Sequence, residues 1–179
     1  MAQTNNNWLE AFRTLGLSAF LAIGVRTFVA EARYIPSESM LPTLEVNDRL
    51  MIEKLSYRFK TPQRGDVIVF MPPDEARLCT GETQKQAYIK RAIGLPGDVV
   101  EVKNSQVYIN NKLLKEDYIQ ESPYYQYGPV TVPPNSYLVL GDNRNNSCDG
   151  HYWGFVPHEN LIGRATVRYW PFNRFGTLD

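Results

Sequence analysis

The chain has 179 residues, 43% of them hydrophobic, which suits one domain with a core plus an appendage. Lysine plus arginine equals aspartate plus glutamate at 19 each, so no net field favours a polyanion, and no basic stripe interleaved with aromatics marks nucleic acid as a partner. Twelve prolines, twelve glycines and eleven tyrosines suit short strands joined by turns, so the expected fold class is mostly β. Two cysteines, Cys79 and Cys148, are too few for a four-ligand zinc site or a disulfide scaffold, and neither metal nor cofactor is expected. They are expected as two separate buried thiols, pairing only if the domain faces an oxidising compartment.

In chain order, an Asn-rich start leads into the uncharged stretch Thr14 to Val25. Read as a helix from Phe12 to Ala30, this segment reaches about 28 Å, close to a hydrocarbon core of about 30 Å. Arg26 at one end can snorkel to headgroups and Trp8 at the other suits an interface. Three readings fit: a single transmembrane anchor, a cleaved secretory signal ending at Ala30-Glu31-Ala32, and a buried amphipathic helix. The single arginine ahead of the stretch and Arg26 within it are poor for a removable signal, so the anchor is preferred, with a domain boundary between residues 32 and 33. Charge on the flanks does not orient it, since Arg13 is countered by Arg26 and Arg33.

Next comes Tyr34-Ile35-Pro36-Ser37-Glu38-Ser39-Met40-Leu41-Pro42-Thr43-Leu44, where prolines hold the backbone extended around two serines spaced two apart. Strands are expected at Arg49–Lys54, Asp66–Phe70, Tyr88–Ile93, Val99–Val102, Gln106–Ile109, Tyr137–Leu140 and Leu161–Trp170, with a hairpin break at Asn104-Ser105. Met71 to Ala87 reads as a loop and Tyr118 to Pro134 as a Tyr/Pro-rich excursion. The polar run Gly141 to His151 sits between strands, where sites usually lie.

A serine nucleophile needs a base. Ser39 with His151 and Asp149 is one reading, although the i, i+2 spacing of Asp149 and His151 does not force an Asp-to-imidazole bond. Lys90 is the sharper candidate, set among Ile89, Ala92 and Ile93, because burial disfavours the ammonium and turns lysine into a useful base. The bland alternative is that Lys90 and Arg91 merely alternate across an exposed strand.

Four stretches together resemble the ordered boxes of bacterial type I signal peptidases: Ser37 to Leu44, Arg64 to Phe70, Tyr88 to Asp98, and Gly141 to Ser147. The resemblance runs from the N-terminal anchor through Trp153-Gly154-Phe155-Val156-Pro157. It implies a serine endopeptidase with a Ser/Lys dyad that cuts signal peptides from exported precursors after small residues. By that carry-over Ser39 is the nucleophile, Lys90 the base, and Ser37 with the Ser39 N–H the oxyanion hole. Ser147 hydrogen-bonds and orients Lys90, while Asp142, Arg144 and Asp149 support the site.

The implied fold is an antiparallel, barrel-like sheet coiled around the dyad in residues 33–179, behind an anchor in residues 1–32. Ile35, Pro36, Met40, Leu44, Tyr88 and Ile89 would form two shallow apolar pockets for a substrate bound as an added strand. Partners would be signal-peptide-bearing precursors and membrane lipid, near the export translocon. The location would be the cell membrane or a thylakoid-type membrane, crossed once, with the catalytic domain on the non-cytoplasmic side. Gly150 and His151 stand where many members carry serine and arginine, which makes any Asp149 ion pair weaker and pH-sensitive. A self-cleaving repressor-type protease and a tethered, non-enzymatic β module are the rival readings; the apolar N-terminal segment argues against the first.

Overall fold

The computed structural model describes residues 7–76 and 86–178. Helix α1 (Asn7–Phe28) has 22 residues, about 33 Å at 1.5 Å per residue. Large apolar side chains project from it on every side, including Trp8, Phe12, Phe20, Ile23 and Phe28, all exposed. A helix that is apolar all round suits lipid better than a protein surface, and Trp8–Phe28 is long and apolar enough to cross a membrane. Because none of that span is buried in the protein, the amphipathic core-helix reading is overturned.

The chain passes from α1 straight into a sheet. Val29 N–H still donates to Val25 O at 2.8 Å, while Val29 O accepts from the Lys54 amide at 2.9 Å. Strand β1 (Ala30–Tyr34) then pairs residue for residue with β2 (Arg49–Glu53). The boundary expected at residues 32 and 33 therefore falls inside β1. Alanine and glutamate favour strands poorly, which hid this element; in the fold Glu31 is held by Arg33 at 2.5 Å and Lys54 at 3.2 Å.

The larger sheet continues through β3 (Val67–Phe70), β4 (Tyr88–Gly94), β9 (Ser136–Leu140), β10 (Val156–Pro157), β11 (Leu161–Trp170) and β12 (Gly176–Thr177). Its order is β1-β2-β11-β3-β4-β9-β10, with β12 beside β11 and every pairing antiparallel. Strand β11 joins the two halves. Its register slips at three points, against β3 between Leu161 and Gly163 and against β2 on either side of Val167–Arg168. Bulges of this kind bend a strand and increase twist, and the sheet curls into a half-barrel.

A second sheet, ordered β7-β6-β5-β8, holds β5 (Val99–Lys103), β6 (Gln106–Ile109), β7 (Lys112–Leu113) and β8 (Tyr127–Thr131). Asn104 and Ser105 both take positive φ, 50° and 60°, the geometry of a two-residue hairpin turn. Strand β8 lies within the stretch expected to be an irregular excursion; Gly128 and Pro129 disguise it as a turn.

All four residues of β3 are buried, Val67 and Val69 toward a cluster with Ile35, Met40, Leu44 and Leu50, Ile68 and Phe70 toward one with Tyr137, Val139 and Trp153. Short helices α2 (Ser56–Phe59) and α3 (Gly150–Trp153) complete the described elements that bear on the site. Of the loop expected over Met71 to Ala87, residues 77–85 lie outside the described ones.

Candidate active site

Ile35 follows β1 and is fixed by backbone bonds, donating to Asp48 O and accepting from the Asn47 amide, each at 3.0 Å. The backbone is extended only as far as Ser37; residues 38–44 form consecutive turns, with Leu41 N–H bonded to Glu38 O and Leu44 N–H to Met40 O. Met40 and Leu44 plug these turns into the core at 0% exposure. That packing presents Ser39 at the rim, 8% exposed, directly over β4. The prolines therefore do less than expected, and the apolar plugs do more.

Lys90 lies on β4 and is 5% exposed. Its Nζ is 2.7 Å from Ser39 Oγ and 3.0 Å from Ile89 O, and among the described residues no carboxylate forms a salt bridge with it. Burial pushes its pKa down from the ordinary 10.5 to about 8, against the opposing pull of the Asp149 and Asp142 charges. At pH 7 roughly a tenth of the amine is then neutral. Ser37 Oγ lies 3.3 Å from Ser39 Oγ, so two hydroxyls and an amine converge.

The polar run after β9 holds this arrangement from behind. Asp142, 0% exposed, takes two bonds from Arg91, at 2.8 and 2.7 Å, and one from Thr43 at 2.5 Å. Arg91 also reaches Gly65 O at 2.7 Å and lies 4.0 Å over the Tyr118 ring. Arg144, equally buried, is clamped by both Glu116 oxygens and donates to Gly141 O at 2.9 Å. Asp149 accepts the Gly141 amide at 2.8 Å, so Gly141 is fixed at both ends. A Cβ there would sit 2.4 Å from Ser39 O and 2.3 Å from Ser147 Oγ, so only glycine permits the approach. Asn143 completes the grip, bonding Ser39 O through its amide and Glu38 O through its side chain, each at 3.1 Å.

Two expected roles need correcting. Ser147 is buried beside Gly141, yet its Oγ has no hydrogen-bond partner among the described residues, so the bond that would orient Lys90 is absent. Met40 and Leu44 are core residues and line neither cavity at the site. The alternative base, His151, bonds Asp149 at 2.6 Å and stacks on Tyr125, whereas Ser39 Oγ meets Lys90 and Ser37. Arg91, Thr43, Glu116 and Asn143 were not singled out from sequence. Arg91 was detectable in principle, since alternation along β4 sends it to the opposite face from Lys90, where a buried guanidinium demands an acid.

Two adjoining cavities open beside the dyad. One of 250 Å³ is lined by Pro36, Ser39, Tyr88 and Ile89, and one of 420 Å³ by Ile35, Pro36, Tyr88 and Ile89 with Val69 and Met71. Four of the six expected pocket residues thus lie at these walls. Cys148 also lines the smaller cavity and is disulfide-bonded. Cys79 lies outside the described residues.

Residues 8–170 match the family described as signal peptidase, peptidase S26. The chain is 61% identical over 170 residues to Signal peptidase I of Leptolyngbya laminosa, spanning 95% of this chain and 83% of that protein. It is 59% identical over 173 residues to Probable signal peptidase I-2 of Synechocystis sp., spanning 97% and 78%. A crystal structure of a signal peptidase I from Enterococcus faecalis is 34% identical, with a TM-score of 0.46 over 59% of this chain and 97% of that one.

Proposed function

The chain belongs to the signal peptidase, peptidase S26, family, and we propose that it cuts signal peptides from exported precursors with Ser39 as nucleophile and Lys90 as general base. Its substrates are precursors bearing signal peptides. The observation that carries the dyad is the 2.7 Å contact between Ser39 Oγ and a buried amine whose pKa is brought down to about 8. Neutral Lys90 takes the hydroxyl proton as Oγ attacks the scissile carbonyl. The Ser37 hydroxyl and the Ser39 N–H stabilise the oxyanion. Lys90 then returns the proton to the leaving amine, and activates water to release the acyl group. Asp142, Arg144 and Asp149 act from behind by fixing the Gly141 segment against Ser39.

The two cavities receive the residues before the cut, with the substrate laid as a strand between Ile35–Ser37 and Gln86–Ile89. In a precursor series assayed in lipid vesicles, with Ser39→Ala as the blank, Ala, Gly or Ser before the cut supports cleavage. Phe or Leu there displaces packed groups at about 1–3 kcal/mol, lowering kcat/KM roughly five- to 150-fold. Equal cleavage of the Ala and Phe precursors would remove the pockets, and with them this reading of the site.

The N-terminal apolar helix, the one such helix among the described residues, fits a single pass through a membrane. We place the anchor at α1 and the catalytic domain from β1 onward, on the non-cytoplasmic side near the export translocon. Loss of residues through Phe28 leaves β1 intact, so the shortened protein is expected to fold and cut short peptides while binding vesicles at least about tenfold less. Failure to fold, or undiminished binding in a flotation assay, would count against that division.

A further inference from the structure

The Asp149 carboxylate, whose charge acts on Lys90, is also bonded to a second titratable side chain. It is 0% exposed, and its Oδ2 accepts the Gly141 amide at 2.8 Å. Its Oδ1 meets the His151 amide at 3.2 Å and His151 Nδ1 at 2.6 Å. An ionised carboxylate has no hydrogen to give, so the imidazole must donate. The ring is held in place to do so: Tyr125 lies parallel to it at 3.9 Å and 6°, and Tyr152 packs tilted at 3.9 Å. The charges that act on this assembly are those of Asp149 and Asp142 on Lys90, and of Asp149, Arg144 and Glu116 on Tyr125.

A negative Asp149 favours the ammonium form of Lys90, which cannot accept a proton from Ser39. A hydrogen donated to the carboxylate by the imidazole draws that charge toward the ring and weakens its hold on the ammonium. We infer that His151 is a positioning residue for the reaction: its Nδ1–H holds the Asp149 carboxylate on the Gly141 amide and draws its charge away from Lys90. The inference rests on the Ser/Lys reading of the site. It gives the histidine a task that differs from a base in a triad, because its donor nitrogen points to Asp149 and its ring is enclosed by tyrosines.

The test is the pH profile of kcat/KM for precursor cleavage by the full chain in vesicles, comparing the unsubstituted protein with His151→Phe and His151→Arg. His151→Phe keeps a ring between Tyr125 and Tyr152 but removes the hydrogen. The acid limb should move up by about half a pH unit, which is about a threefold loss at pH 7, while the alkaline plateau stays within about threefold. His151→Arg supplies a donor with fixed charge and should return the limb to its original position or below. If the arginine variant does not fold by thermal unfolding, His151→Asn, a smaller neutral donor, should place the limb between those of the Phe variant and the unsubstituted protein. A limb that does not move in His151→Phe overturns the inference and leaves the dyad standing. A collapsed plateau with an unmoved limb also overturns it, as a purely structural role. Absence of any acid limb in the unsubstituted protein overturns the dyad as well.

Discussion

Lys90→Met should abolish precursor cleavage, with kcat reduced by at least about 10³-fold, and should leave the protein folded and more stable at pH 7. Methionine fills a similar volume without a charge, so the site loses its proton acceptor while the core loses a desolvated amine. The gain follows from the depressed pKa: between about 8 and 10.5 the folded state holds fewer protons than the unfolded chain, so stability rises with pH across that window. Below about pH 8 the burial penalty is present in full, about 3 kcal/mol, and above about 10.5 it is gone. The Met variant should therefore exceed the unsubstituted protein in Tm at pH 7 and converge with it at alkaline pH. Lys90→Arg, which cannot deprotonate at working pH, should be equally inactive. Cleavage by the unsubstituted protein should rise about tenfold per pH unit before levelling near pH 8. Retention of a tenth of the rate by both variants would remove Lys90 from the role of base.

Ser37→Ala should lower kcat by about 10²–10³ with little change in KM. Ser37 is exposed and its Oγ stands 3.3 Å from the nucleophile, so its removal costs the fold little. A hydroxyl aimed at the developing oxyanion strengthens its contact in the transition state, which is why the loss falls on kcat. Steady-state kinetics with a soluble peptide separates the two constants. A loss under tenfold, or one confined to KM, would take Ser37 out of the oxyanion hole.

How far the site could be read from sequence depended on whether the signal was local. Ser39 and Lys90 stood out because each sits in an unusual setting, a serine between proline-bounded turns and a lysine inside an apolar strand. Strand β11 was legible from end to end because ten consecutive residues carry strand character between clear breakers. Strands β1 and β8 were missed because their stability comes from partners, β2 and β5, and their own residues favour strands weakly. The same limit applied to Ser147 and to Met40 and Leu44. Their places depend on which way a turn carries them, and the turns after Ser37 send Met40 and Leu44 inward. Alternation along β4 could flag Arg91 as needing an acid but not name Asp142, 51 residues away, and Glu116 was invisible as a support because its partner Arg144 is 28 residues away.

The join at Val29 has a mechanical meaning. Its amide closes the last turn of α1 and its carbonyl is bound to Lys54, so there is no slack between helix and sheet. The Arg58 guanidinium, 5.3 Å over the Phe28 ring, braces the same joint from α2. Strand β1 then runs about 17 Å over its five residues before the chain reaches the serine turn. The apolar span of α1 thus ends where the first strand of the sheet begins, and helix and sheet meet as a braced joint with no linker between them.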